Sequence, residues 1–295
     1  MKSFVSAILL IFLAAGCGIK KRTTLDVPPA YAQAQTASAQ ELIELINDRY
    51  AGVQTLKISR YEVEFEGGSL EQGYLERYPR AKGYLVAQRP ESIFVNILNP
   101  LTSSTVATMA AQGRDFQIWL PRENKYVTGR TNFVTEEEKE PIYNVRPDHL
   151  LTGILIEPIP LNDPGKRYFI IEDQDLQTKY YVIGIIETDP QSQQAPLKRR
   201  LWIDRSSLAL VRQHYYESGE VISSILYSRP FELNGMLVNG SVKIERPQEN
   251  YSILLEYEAE ATETNEPIRD DVFEVPVPPG AELVVLKQEE TPQRP

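Results

Sequence analysis

A long series of short β-strand patterns, with very little helical spacing among them, limits the possible folds of this sequence more than any other feature. In the first pattern Tyr61, Val63 and Phe65 alternate with glutamates, as in an antiparallel strand with one buried face. Short turn sequences such as Ser218-Gly219 separate the patterns that follow. Many short strands at even spacing predict a sheet that must curl, pack or close. The later strands are predicted near Arg80–Gln88, Ser92–Leu98, Ser104–Gln112, Asp115–Leu120, Asn124–Gly129, Arg167–Asp173, Thr178–Glu187, Leu197–Asp204, Ala209–Glu217, Glu220–Ser228, Gly240–Glu245 and Tyr251–Glu258.

Some of these strands are apolar on both faces. Ile93 and Val95 alternate with Phe94, and Tyr181 and Ile183 flank Val182. A sheet covered on one face only would expose half of these side chains. Two covered faces, a lipid cavity, or a well-packed barrel core without a cavity would each bury them.

A helix is predicted before the first strand. Ser38 and Glu41 have the spacing of a capping box, and apolar residues recur after them at helical spacing. We therefore expect a helix from about Ala39 to Leu56 with one buried side.

A second, short helix is predicted in the one long irregular stretch, between Thr131 and Lys166. Pro147 suits its first turn, and Leu150, Leu151 and Ile154 would give it an apolar side. Inserted between strands, such a helix can bury that side only against the sheet. The fold class expected is mainly β, a curled antiparallel half-barrel of about eleven strands with both helices covering its concave face.

The N-terminal segment predicts a lipid anchor. Residues 1–16 have the short apolar middle of a secretory signal peptide, and Cys17 is the only cysteine of the chain. Leu-Ala-Ala-Gly-Cys resembles a bacterial lipobox, although Ala14 stands where leucine is usual. Ordinary signal cleavage beside an incidental cysteine is the alternative. Residues 17–37 are predicted to be a flexible lipidated tether, 38–287 the β domain and 288–295 a disordered tail.

The residue after the cysteine bears on the membrane to which the protein is sorted. Lipoproteins of two-membrane bacteria tend to stay in the inner membrane when Asp follows the cysteine, and Gly18 stands there. The lipobox resemblance therefore implies the outer membrane, with the domain facing the periplasm. In a bacterium with one membrane, the same anchor would place the domain outside the cell.

Composition argues against several classes of partner and cofactor. The chain has 31 basic and 41 acidic residues, a net charge of −10, so no basic stripe is expected to bind nucleic acid. His149 and His214 are the only histidines, which disfavours a histidine-rich metal site. No metal and no cofactor are expected.

No catalytic motif is present, and we expect no enzyme. The chain lacks Gly-x-Ser-x-Gly, a phosphate-binding glycine loop and metal-ligand spacing. Asp204, Ser206 and His214 could form a hydrolase triad, but Asp and Ser are ordinary residues of turns.

Several short motifs follow one another in a recognisable order. Gly83-Tyr-Leu-Val-Ala-Gln-Arg-Pro90 precedes Gly113-Arg-Asp-Phe-Gln-Ile-Trp-Leu-Pro-Arg-Glu-Asn124, and Leu201-Trp-Ile-Asp-Arg-Ser-Ser-Leu-Ala-Leu210 comes later. The chain closes on Asp271-Val-Phe-Glu-Val-Pro-Val-Pro-Pro-Gly280. From about Ser38 to Val285 this order resembles the LolA/LolB-like superfamily of periplasmic lipoprotein carriers and outer-membrane lipoprotein receptors.

The resemblance implies a half-open barrel whose apolar concave face accepts acyl chains of a lipid or lipoprotein, for transfer or insertion. A structural or interaction lipoprotein with a filled core and a periplasmic protein partner is the alternative. Leu101 would correspond to the receptor's membrane-contacting loop leucine, or else be a packed residue at a strand end. Because alternate residues share a strand face, the side chains expected to line the cavity or cover it are Tyr61, Val63, Phe65, Phe116, Ile118, Leu120, Leu150, Leu151, Ile154, Ile253, Leu255 and Tyr257.

Overall fold

One large, open, curled β-sheet forms the body of the protein, and its fold is mainly β as predicted. The computed structural model describes residues 36–68, 73–130, 144–188 and 194–286. Several predicted features lie outside the described residues: the signal segment, Cys17, the 17–37 tether except for its last two residues, and the 288–295 tail.

Within the described residues the sheet has sixteen strands. Their bounds are β1 Thr55–Gly67, β2 Glu76–Arg77, β3 Ala81–Gln88, β4 Ser92–Leu98, β5 Thr105–Gln112, β6 Asp115–Leu120, β7 Lys125–Arg130, β8 Lys166–Gln174, β9 Lys179–Glu187, β10 Leu197–Asp204, β11 Leu210–Glu217, β12 Glu220–Leu233, β13 Met236–Arg246, β14 Tyr251–Tyr257, β15 Thr262–Thr264 and β16 Glu282–Val285.

Neighbouring strands are mostly hairpin partners. The spatial order is β16-β7-β6-β5-β4-β3-β1-β14-β13-β12-β11-β10-β9-β8, and β2 and β15 also pair with β1. Every pair is antiparallel except β16 with β7. The first strand, β1, therefore joins a meander that ends at β7 to a second meander, β8 to β14, through its pairing with β14.

Two helices lie against one face of the sheet, which we call the inner face. Helix α1 spans Ala39–Ile46 and continues as a wider π turn over Asn47–Ala51. Helix α2 spans Pro147–Ile154. Within the described residues, none of the helices combines the length and the apolar composition needed to cross a membrane.

The first helix is shorter than predicted, and the strand count is higher. Strand β1 begins at Thr55, because Leu56 and Ile58 alternate inward and pair with β3 and β15. The strands absent from the prediction, β2, β15 and β16, have two to four residues. Segments of that length carry no readable periodicity, so they are not among the strand patterns of the sequence.

The main core lies between the inner face and the two helices. Helix α1 contributes Leu42, Ile43 and Ile46, none more than 1% exposed. The same cluster includes inward side chains from both meanders, such as Ile93 on β4 and Ile225 on β12.

The outer face of the first meander is covered by the C-terminal segment. Phe94 and Trp119 pack beside Val275, and the Tyr126 hydroxyl donates to the Val275 carbonyl at 2.8 Å. The Val275 amide donates to Gln117 Oε1 at 2.7 Å. A second covered face therefore explains why β4 is apolar on both sides.

Candidate functional site

The predicted lining residues of β1 and β14 are cross-strand neighbours on the inner face. Tyr61 pairs with Tyr257, Val63 with Leu255 and Phe65 with Ile253. All six are buried in the main core, and we call them the β1–β14 lining. The Phe65 and Tyr251 rings stack with centroids 5.8 Å apart, which extends the apolar surface toward the β13–β14 turn.

The predicted residues of β6 contribute unequally. Phe116 is fully buried in the core, and Ile118 is partly buried against it. Leu120 is only half-buried, because it is the last residue of the strand and adjoins the turn at 121–124.

Helix α2 and the two residues after it lie on the inner face, where the helix contacts β4, β5 and β13 and the His149 ring stacks on Tyr251. We call residues 147–156 the plug. Leu150, Leu151 and Ile154 all point into the main core, as predicted for the covering helix. Gly153 lets the helix approach β13 closely, since a Cβ at this position would lie 2.5 Å from Ile244 Cδ1.

The plug leaves little free space. A cavity of about 10 Å³ lies between Val53, Leu56 and the plug residues Ile154 to Ile156. That volume accommodates about one water molecule. This cavity is therefore too small for an acyl chain while the plug is in place.

Arg89 holds the plug to the segment after α1. Its Nε donates to the carbonyl of Val53 at 2.8 Å, and its Nη2 donates to the carbonyl of Ile156 at 2.6 Å. One side chain from the end of β3 therefore joins two chain segments that cover the inner face. Hydrogen bonds from a charged donor are worth about 1.5–3 kcal/mol each when buried.

The start of the plug is charged and partly buried. His149 Nδ1 and the Tyr251 hydroxyl share a short hydrogen bond, and burial, with Arg246 and Arg146 nearby, holds the pKa of His149 well below its ordinary value. Burial raises the pKa of Asp148 to about 6, and the same two arginines oppose that rise. Near neutral pH, the docked plug therefore has a neutral histidine and a carboxylate that is costly to bury.

Comparison with solved structures finds several proteins to which this chain is distantly similar. A LolA superfamily protein from Nitrosomonas europaea matches at 13% identity and a TM-score of 0.47, over 81% of this chain and 99% of that one. A DUF1329 family protein from Desulfovibrio piger matches at 12% and 0.48, over 85% and 98%. A domain from Vibrio parahaemolyticus, named for outer membrane lipoprotein sorting, matches at 11% and 0.45, over 83% and 97%.

No family model matches the chain, and no curated protein matches its sequence. At these identities and TM-scores the structural likeness does not by itself assign a ligand or partner to this chain.

A buried polar cluster on the inner face was not anticipated from the sequence. Arg199 on β10 is 5% exposed, and its Nη2 and Nε both donate to Gln213 Oε1, at 2.7 and 3.0 Å. Its Nη1 donates to the Glu157 carbonyl, directly after the plug, at 3.0 Å. The Gln213 amide donates in turn to the Tyr227 hydroxyl. One sequence feature could have indicated this cluster: Arg199 alternates with Leu201 and Ile203, so it occupies an inward position on the strand.

Two hairpin tips present exposed leucines. Leu101, the predicted membrane-contact residue, is 91% exposed and follows Asn99, whose Oδ1 accepts from the Leu101 and Thr102 amides. Leu176 is 95% exposed and follows Asp175, whose Oδ1 accepts from the amides of residues 177 and 178. Because successive strands alternate in direction, the β4–β5 and β8–β9 turns lie at opposite ends of the sheet.

The residues of the hydrolase alternative do not form a triad. Asp204 Oδ1 accepts from the Ser206 amide and hydroxyl within the β10–β11 turn. His214 pairs with Arg200 and packs on Trp202. Four residues of strand separate Arg200 from Asp204, about 13 Å. In the described part of the chain, no group of three or more His, Cys, Asp or Glu residues could hold a metal ion.

Proposed function

We propose that this protein is an outer-membrane-anchored periplasmic lipoprotein that binds acyl chains of a lipid or lipoprotein on the β1–β14 lining, for transfer or insertion. Binding requires the plug to leave the lining, so that the acyl chain takes the place of Leu150, Leu151 and Ile154. We expect no catalytic activity.

The observation that carries the proposal is the pairing of a continuous apolar lining with a separate cover. The lining belongs to two central strands that hydrogen-bond along seven residue pairs. The plug is an insertion between β7 and β8 whose helix is eight residues long and takes no part in the sheet. Removing the plug would therefore expose apolar surface without breaking the β1–β14 ladder.

If an acyl chain replaces the plug, most of the apolar surface of the lining stays buried. An acyl chain on the lining would be stabilised by about 25 cal/mol for each Å² of apolar surface removed from water. The plug forfeits similar contacts when it leaves, so the net affinity depends on the hydrogen bonds of Arg89 and on the charged start of the plug. No polar group of the ligand is needed to fill an apolar surface.

Uptake of a fluorescent fatty-acid probe by paired variants tests this mechanism. Phe116→Glu places a carboxylate in the lining, where its desolvation should reduce uptake about tenfold or more. Leu151→Glu places the same carboxylate in the plug, where its desolvation penalty disfavours the docked plug and should increase uptake.

Thermal melting of both variants controls for loss of fold. If the wild type and Leu151→Glu both take up no probe while remaining folded, the acyl-binding proposal is wrong. Native mass spectrometry of the protein expressed in bacteria gives a second readout, since a carrier should retain acyl ligands.

The anchor is tested separately at Cys17. Cys17→Ser should abolish labelling by a lipid precursor and release the protein from the outer-membrane fraction. A variant that stayed lipidated and membrane-bound would contradict the proposed attachment site.

The alternative is an interaction lipoprotein of the envelope whose core stays filled. The small size of the cavity, about 10 Å³, favours it. In that case the plug is a permanent part of the core, and covalent attachment of the plug to the sheet should leave the cellular phenotype unchanged. In a carrier the same cross-link should abolish function.

A further inference from the structure

The segment that forms strands β8 to β11 differs in charge from the rest of the chain. Residues 166–217 contain eight Lys or Arg and seven Asp or Glu. The whole chain contains 31 basic and 41 acidic residues, so the rest of the chain carries all of the negative excess. An anionic surface would meet the least electrostatic repulsion at this part of the sheet.

Two arginines on this face stack on aromatic rings. The guanidinium carbons of Arg200 and Arg212 lie 5.6 and 5.5 Å from the Trp202 ring centroid. Arg200 also lies 5.7 Å from the ring of Tyr216, and the His214 and Trp202 rings are 4.6 Å apart. We call these five side chains the arginine–aromatic cluster. It spans β10 and β11, where Arg200 pairs with His214 and Trp202 with Arg212.

Neither arginine of the cluster forms an ion pair within the described residues. Among the described residues, no carboxylate lies within 4.0 Å of the Arg200 or Arg212 guanidinium nitrogens. By contrast, on the outer face of β1 and β14, Arg80 binds three glutamates and Arg229 binds Glu256. A planar guanidinium can donate two parallel hydrogen bonds to phosphate oxygens.

Apolar side chains extend the cluster toward the open edge of the sheet. Ile171 on β8 pairs with Val182, which pairs with Trp202, so all three share the outer face. Ile171 is 48% exposed, and Leu176 at the β8–β9 tip is 95% exposed. Exposed apolar residues beside Trp, Tyr and Arg are typical of the interface between water and lipid.

The N-terminal chain enters the domain at the same strands. The backbone N–H of Ala37 donates to the hydroxyl of Tyr181 on β9 at 3.1 Å. A chain attached to a membrane through residues before Ala37 would therefore enter the domain close to the β8–β9 turn, where Leu176 lies.

We propose that the outer face of β8 to β11 docks on an anionic phospholipid surface. Arg200 and Arg212 bind lipid phosphates there, while Ile171 and Leu176 lie at the depth of the headgroups. The acid-rich outer face of β1 and β14 is excluded from the surface by repulsion. This docking uses neither the β1–β14 lining nor the acyl groups at Cys17.

Vesicle co-sedimentation of the full chain carrying Cys17→Ser tests the proposal, because no attached lipid can then insert. Vesicles contain either equal parts of phosphatidylglycerol and phosphatidylcholine or phosphatidylcholine alone. Each basic side chain near an anionic surface strengthens binding about fivefold. The double variant Arg200→Gln, Arg212→Gln should therefore bind the anionic vesicles at least about tenfold more weakly, with a shallower dependence on salt.

Two matched variants separate docking from stability and from total charge. Arg80→Gln, Arg229→Gln removes the same charge from the other outer face and should change binding less than about twofold. Arg200→Lys, Arg212→Lys keeps the charge but loses the paired hydrogen bonds, and should bind with an affinity between those of the parent chain and the glutamine variant. Thermal melting of every variant shows whether the fold is intact.

Trp202 gives a direct readout of contact. The chain has two tryptophans, so Trp119→Phe leaves Trp202 as the only emitter. Brominated phosphatidylcholine mixed with phosphatidylglycerol should quench its fluorescence. Three outcomes would each overturn the proposal: equal binding to neutral and anionic vesicles, an equal loss in the Arg80 and Arg229 control, or no vesicle binding by the parent chain. The last outcome would favour an acidic protein partner.

Discussion

The two helices cover the same inner face but are held there in different ways. Helix α1 begins with a complete capping box, in which Ser38 accepts from the Glu41 amide and the Glu41 side chain accepts from the Ser38 amide. The turn after it is fixed by the Tyr50 hydroxyl, which accepts from the Leu210 amide at 3.2 Å. Burial raises the pKa of Tyr50 to about 12, so that hydroxyl stays neutral.

Helix α2 has no such cap. It begins with Pro147, and no side chain caps its first turn. Its inward residues are 3–9% exposed, against at most 1% for those of α1. Because of this difference, we expect α2 to leave the inner face more readily than α1.

Alanine substitutions should show most clearly that the two helices contribute differently to stability. Ile46→Ala on α1 should lower the free energy of unfolding by about 3–4 kcal/mol, because the fully buried site cannot relax. Ile154→Ala on α2 should lower it by only about 1–2 kcal/mol, since the plug can shift to fill the space. Urea unfolding measures both, and equal losses would show that the plug is as integral to the core as α1.

Enlarging Gly153 should displace the plug alone. A valine side chain would overlap Ile244, which already leaves no space for a Cβ. Gly153→Val should cost about 1–3 kcal/mol and increase uptake of a fatty-acid probe. Thr152→Val puts the same side chain one residue earlier and is the control; similar behaviour of the two variants would rule out the close contact as the cause.

The charge at the start of the plug should make its docking depend on pH. The pKa of Asp148 is about 6 in the folded chain, against an ordinary value of 3.8, so the folded state keeps a proton that the unfolded state has lost. This contribution favours the fold at low pH and is lost as the pH rises through 6. Asp148→Asn should therefore raise the melting temperature by an amount that grows between about pH 4 and pH 7 and then levels off.

Asp48→Asn, on the exposed side of the turn after α1, is the control for Asp148. An equally large pH dependence of Asp48→Asn would show that the effect at Asp148 does not come from its burial. A constant effect of Asp148→Asn would mean that Asp148 ionises freely in the docked plug.

The smallest effect is expected at the cap of α1. Ser38→Ala should lower the free energy of unfolding by about 0.5–1 kcal/mol, because the Glu41 amide loses its acceptor. Ser38→Asp keeps an acceptor and should restore most of the stability. A loss above about 2 kcal/mol would mean that Ser38 does more than cap the helix.

Most of the fold could be predicted because period-two alternation is a local signal. Tyr61, Val63 and Phe65 face inward as expected, and the hairpin turns lie close to their predicted positions. The parallel pairing of β16 with β7 could not be predicted, since it joins residues more than 150 positions apart without a local pattern.

The inward direction of the lining residues was predictable, but the state of the inner face was not. Whether a lining is open or filled depends on how closely a distant helix packs, here through the contact of Gly153 with Ile244. Arg199 shows a second limit, because a charged residue at an inward position looks like an error in the pattern until its partners Gln213 and Glu157 are known.

The position of β1 in the sheet has a consequence for the order of folding. Each meander can form from neighbouring hairpins, but β1 and β14 must pair across nearly 200 residues, as Tyr61 does with Tyr257. Contacts so distant in sequence form late and slowly, because loop closure must precede any gain from the contact. The β1–β14 lining is built from the two sides of this seam, so it is completed only in the last stage of folding. A molecule that bound there would connect the two meanders and slow their separation.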